Sequence, residues 1–123
     1  MTPVLVFLGA GLGGVARYGI SRWTMTAIGT GFPWGTLTVN VVGSFLITFG
    51  IGWMHSRGMG IPRQDFFAAG LCGGFTTFSA LSVETLRMIE SGHWQRAALY
   101  VTGSVVLGLL AALAGLRLAP GHA

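Results

Sequence analysis

The chain has 123 residues, of which 52% are hydrophobic and only 8% charged, with a net charge of +4. A water-soluble domain usually carries about 25% charged residues, so a chain this poor in charge has too little to cover a soluble surface, and lipid is the solvent it suits. The positive balance does not point to nucleic acid. The seven Arg are spread singly with no Lys among them, whereas a nucleic-acid footprint needs a basic patch or stripe.

A membrane-spanning helix needs about 20 mostly apolar residues. Four segments meet this, at residues 3–26, 34–53, 64–88 and 97–116, which predicts an all-α integral membrane protein of one domain over 1–123. The first opens with Pro3, a residue suited to a first helical turn. Met1-Thr2-Pro3 offers no basic leader region, so this segment reads as a retained helix rather than a cleaved signal. Its Gly9-Ala10-Gly11-Leu12-Gly13-Gly14 run fits the dinucleotide-binding pattern, but no acid lies about 20 residues on and no strand–helix alternation follows. Gly9 and Gly13 are instead spaced as a small-residue face for close helix packing. Arg17 also lies in this segment. A guanidinium there either snorkels to the headgroups or attracts an anion at a hydrated entrance.

The second span is bracketed by Trp34 and Trp53. They are about 19 residues apart, roughly 28 Å at helical rise, which matches the hydrocarbon thickness with Trp at both interfaces. Thr36, Asn40, Ser44 and Thr48 recur at i, i+4 along it and form one polar stripe. Such a stripe either bonds neighbouring helices together or lines a hydrated path. Asn40 has the amide donors to meet an anion.

The third span holds Gly70-Leu71-Cys72-Gly73-Gly74-Phe75-Thr76-Thr77-Phe78-Ser79. Each Gly weakens a helix by roughly 1 kcal/mol, and irregular backbone at membrane depth persists only against protein or water. A broken helix is expected here, with freed carbonyls able to coordinate a cation; a simple kink is the plainer reading. Glu84 follows, either as a proton or cation site or as a charge near a helix end. Cys72 stands alone, without disulfide or metal spacing. The fourth span carries Tyr100 and Ser104, with Gly108 continuing the line.

The connecting loops are short, and Arg is balanced between the two sides. Arg57, Arg63 and Arg117 fall on one side and Arg22, Arg87 and Arg96 on the other, so the positive-inside rule gives no preference. Either one orientation is weakly determined or copies insert both ways. His55, His93 and His122 lack metal-ligand spacing, and no Ser-His-acid set suggests an enzyme.

Four features together resemble one family. They are Gly13-Gly14-x-x-Arg17-Tyr18, then Gly35-Thr36-Leu37-x-Val39-Asn40-x-x-Gly43-Ser44-Phe45, then Gly73-Gly74-Phe75-Thr76-Thr77-Phe78-Ser79 with Glu84, and finally Tyr100 with Ser104. The chain is similar over essentially its whole length to the bacterial fluoride channels of the CrcB/Fluc family. The resemblance implies a multi-pass protein of the bacterial inner membrane that lowers cytoplasmic fluoride passively. It implies a dual-topology antiparallel homodimer with two pores at the subunit interface. It also implies a structural sodium ion held by backbone carbonyls, which fall here on Gly73 and Thr76. The implied fluoride pathway falls on Asn40, Phe78, Thr36, Thr77, Ser79, Tyr100 and Ser104. One departure stands out: the family's second pore phenylalanine falls on Leu81, whose side chain has no electropositive ring edge. Fluoride then passes with altered rate, or this chain pairs with a related one as a heterodimer. The rival function is a small dual-topology multidrug-type cation exporter, for which Glu84 is the candidate carboxylate.

Overall fold

The computed structural model describes residues 1–121; His122 lies outside them. The described chain is helical throughout, with four membrane-length spans. The first span is α1 (Thr2–Ala27), with Pro3 in its opening turn. The second is α2 (Trp34–Ser56), which starts directly after Pro33. The third is composite. It runs through α3 (Ile61–Asp65), a π-helical segment (Phe66–Cys72) and a short α4 (Gly73–Phe75). It then breaks, and resumes as α5 (Phe78–Glu90). The last span is α6 (Trp94–Leu118). Gly58 (φ 68°) and Gly92 (φ 80°) adopt left-handed backbone just past α2 and α5, where helices commonly stop.

Two pairings organise the bundle. The α2 helix packs chiefly on α6, and α1 packs chiefly on the π-helical segment and α4. Small residues set both distances. A Cβ on Gly9 would lie 2.6 Å from the Phe66 carbonyl oxygen, and one on Gly13 would lie 2.8 Å from the Phe75 nitrogen and collide with the Leu71 carbonyl. Gly74 presses in the same way against the backbone of Ala10. The glycine-rich run of α1 is thus a packing face, as its spacing predicts. Across the other pair, Gly115 of α6 meets Thr48 and the Phe45 carbonyl of α2, and the Thr48 hydroxyl donates to the Ala112 carbonyl at 2.7 Å.

The break redirects the third span. Before it, the chain lies against α1; after it, α5 packs against α6. Little of the chain is fully enclosed. Val39 and Tyr100 are the largest completely buried side chains, while Phe7, Val15, Phe78 and Leu99 are each at least 70% exposed. Such an outside suits lipid or another apolar surface, not water.

Candidate functional site

The break is two residues long. Thr76 (φ −91°, ψ 157°) and Thr77 (φ −152°, ψ 118°) are both extended. Extended backbone inside a span loses helical hydrogen bonds, and each lost partner has to be replaced. The replacements are specific. Asn40 of α2 faces Thr77 and satisfies both of its backbone groups: the Thr77 N–H donates to Asn40 Oδ1 at 2.8 Å, and Asn40 Nδ2 donates to the Thr77 carbonyl at 3.1 Å. The Thr77 hydroxyl caps α5 by accepting from the Ala80 N–H at 3.2 Å, and it lies 3.2 Å from the Ser79 hydroxyl. Thr76 turns back, donating from its N–H and its hydroxyl to the Cys72 carbonyl, both at 3.0 Å.

Arg17 completes the frame from α1. Its Nε donates to the Gly74 carbonyl at 3.1 Å. This charge neither simply snorkels nor stands free at an entrance: it is half-buried and fastened to the helix end just before the break. Gly43 makes room for the break, because a Cβ there would collide with the Thr76 methyl group.

Beside the break lies an open groove of about 290 Å³, lined by Asn40, Ser44, Gly73, Thr76, Thr77, Phe78 and Leu81 among others. It gathers five of the residues that the family resemblance assigns to the fluoride pathway or the cation: Asn40, Gly73, Thr76, Thr77 and Phe78. Phe78 is 79% exposed, so its ring edge is available to whatever enters the groove or covers it. Asn40 Nδ2 carries two hydrogens, and its bond to the Thr77 carbonyl uses one of them.

The remaining pathway residues sit apart from this groove or at its margin. Thr36 and Tyr100 meet at Glu84: the Thr36 hydroxyl donates to Glu84 Oε1 at 2.7 Å, and the Tyr100 hydroxyl lies 3.5 Å from the same oxygen. Tyr100 is fully buried, its ring edge-on to Phe32 at 5.4 Å. Ser104, one turn along α6, is buried, and its hydroxyl has no hydrogen-bond partner among the described residues. Ser79 is exposed at the start of α5.

The stripe on α2 therefore divides by position. Thr36 serves the Glu84 cluster, Asn40 holds the break, Ser44 donates to its own helix at the Asn40 carbonyl (2.6 Å), and Thr48 bonds α6. Two residues have roles that spacing does not assign. Glu84 is the centre of a polar cluster joining α2, α5 and α6, and Arg17 is a partner of the break. Both are visible in the sequence as rare charges within spans, which are functional or paired as a rule. Their partners are not.

Comparison with known proteins places this arrangement. Residues 4–116 match the family model described as "CrcB-like protein, Camphor Resistance (CrcB)". A fluoride-specific ion channel FluC from one strain of Thermus thermophilus is 46% identical over 115 residues, covering 94% of this chain and 91% of the relative. Its counterpart in a second strain of the same species is 44% identical, covering 94% and 92%. A fluoride-specific ion channel FluC of Rhizobium meliloti is 43% identical over 116 residues, covering 94% and 93%. With a match that spans all four helices and the break between them, this chain belongs to the CrcB-like family.

Proposed function

We propose that this protein is a passive fluoride-selective channel that lets fluoride leave the cytoplasm across the bacterial inner membrane. The observation that carries the proposal is the groove at the break, where Asn40, Thr77 and the exposed Phe78 converge at membrane depth. Fluoride is small and strongly hydrated, so a pore has to replace its water with convergent donors. Asn40 offers an N–H beyond the one given to Thr77, and Phe78 offers the electropositive edge of its ring. Ser104 offers a buried hydroxyl that no other described residue engages. Thr77 and Ser79 supply further hydroxyls at the break, and Thr36 and Tyr100 supply others at the Glu84 cluster. None of these groups carries a full positive charge. That suits conduction, which needs binding weak enough to release the ion. A negative-inside potential drives the anion outward by roughly 2.3 kcal/mol per 100 mV.

The working unit is an antiparallel, dual-topology homodimer. Balanced Arg on the two sides supports insertion both ways, and the exposed surface around Gly73, Phe78 and Ser79 supports a second chain over the groove. A structural sodium ion at the centre of that interface fits the donor set. Hard cations take oxygen ligands, and Gly73 and Thr76, whose main-chain carbonyls are the candidate ligands, both line the groove at the break. Two chains would contribute these carbonyls twice over. Bound there, sodium would tie the two breaks together, while Asn40 and Arg17 hold each break in shape from behind.

Leu81 in the groove wall favours a second arrangement, a heterodimer in which a related chain supplies the missing ring. The exporter reading is weaker, because the Glu84 carboxylate is engaged by Thr36 and backed by Tyr100. Purified protein in liposomes tests the proposal. Fluoride efflux that needs no second ion and stops on Phe78→Ala supports it, and a well-folded dimer that passes no fluoride overturns it.

A further inference from the structure

A second cavity, which shares no lining residue with the groove, lies toward the end of the bundle that holds the N-terminus and the α2–α3 connection. It has a volume of about 440 Å³ and is walled by Leu5, Met54, Met59, Phe66 and Phe67, with Trp53 and Arg63 also lining it. Its walls come from three spans that diverge there: α1, α2 and the start of the third. Gly50 lets the Phe67 ring pack directly against α2 as one of the walls, since a Cβ there would collide with the ring.

The depth of this cavity is set by the chain. The α2 helix ends at Ser56 and α3 begins at Ile61, so Trp53 and Arg63 stand where the spans leave the hydrocarbon. Trp53 is the residue type that settles at that level. The Arg57 guanidinium stacks over its ring at 5.2 Å from the centroid. Arg63 thus lines this apolar cavity, Arg57 is held over the ring of Trp53 in its wall, and both Arg57 and Arg63 are exposed.

Water is a poor occupant, because it needs two to four polar partners and these walls are hydrocarbon and aromatic. An empty cavity would forfeit dispersion contacts along every wall. A hydrocarbon chain makes those contacts, and a guanidinium pairs with a phosphate diester through directed hydrogen bonds as well as charge. We propose that this cavity binds an anionic membrane phospholipid, one acyl chain between Leu5, Met59 and Phe67 and the phosphate on Arg63 and Arg57. The site stands independently of what the channel conducts.

The test uses the full-length protein in detergent, with lipid binding read by native mass spectrometry and stability by thermal unfolding. Phosphatidylglycerol and phosphatidylcholine with identical chains are compared, with inorganic phosphate as a competitor. The wild type is expected to bind phosphatidylglycerol roughly tenfold more tightly than phosphatidylcholine, since each surface Arg contributes appreciably to anionic-lipid attraction. The double variant Arg57→Gln/Arg63→Gln should bind both lipids alike and unfold at the lipid-free wild-type temperature. Met59→Trp, which fills the cavity from a loop position, should weaken both lipids. Equal binding of the two lipids by the wild type would overturn the proposal. So would full displacement of phosphatidylglycerol by inorganic phosphate, which would mean a free-anion site. Unchanged binding in Met59→Trp would remove the acyl chain from the cavity, and failure of either lipid to bind would show that another protein surface covers it.

Discussion

Asn40 performs two tasks that a pair of substitutions can separate. Its side chain closes a two-point bond with the Thr77 backbone, at 2.8 and 3.1 Å, and it also faces the groove. Asn40→Ala removes both hydrogen bonds and strands one N–H and one carbonyl within a membrane span. An unmade bond to a buried group costs about 1–3 kcal/mol. Thr77 is only half-buried beside an open groove, so the lower end applies, and the two groups together give a loss of about 2 kcal/mol. Asn40→Asp keeps the acceptor for the Thr77 N–H but loses the donor and sets a negative charge beside the anion's route. It should recover about half of the stability and conduct no better than Asn40→Ala. The assay is reversible unfolding in mixed detergent alongside fluoride efflux on the same preparations. If Asn40→Ala unfolds at the wild-type midpoint, the Asn40–Thr77 bridge does not hold the break and the reasoning fails.

Other expectations follow from individual contacts. Gly13→Ala should impair assembly, because its methyl group would strike the Leu71 carbonyl, whereas Gly11→Ala, with open space around it, should be tolerated; yields of folded protein after extraction distinguish the two. Arg17→Gln should lower stability by about 1.5–3 kcal/mol, the range for a hydrogen bond to a charged group, measured by the same unfolding assay; no change would remove the guanidinium from the frame of the break. Thr48→Val should cost only about 0.6 kcal/mol, the typical worth of a hydrogen bond between membrane helices, and leave fluoride efflux intact, which would mark that end of the α2 stripe as adhesive rather than conductive.

What could be read in advance, and what could not, follows from the length scale of each feature. Span positions depend on hydrophobic runs of about 20 residues, and the Trp34–Trp53 bracket gives the second span almost without ambiguity. The break depends on local chemistry, and Gly73-Gly74 followed by two Thr points to it directly. The π-helical segment Phe66–Cys72 has no such signal: no residue type demands the wider turn, which arises where the third span meets the glycine face of α1. Partners across helices are hidden for a further reason. Spacing says that Thr36, Asn40 and Thr48 share a face of α2, but not which neighbour that face meets as the helix turns along its length. Hence the same stripe reaches Glu84, then the Thr77 backbone, then the Ala112 carbonyl. The fluoride pathway is narrowed by likeness to a family more than by spacing, and Leu81 is where that likeness weakens.

Fluoride efflux from proteoliposomes, followed with an ion-selective electrode for the wild type and for Leu81→Phe, tests the central claim most directly. A fluoride channel predicts efflux from the wild-type protein, with Leu81→Phe changing its rate. Silence from both, in correctly assembled dimers, would contradict the account and leave the polar groups of α2 and the break as structural bonds alone.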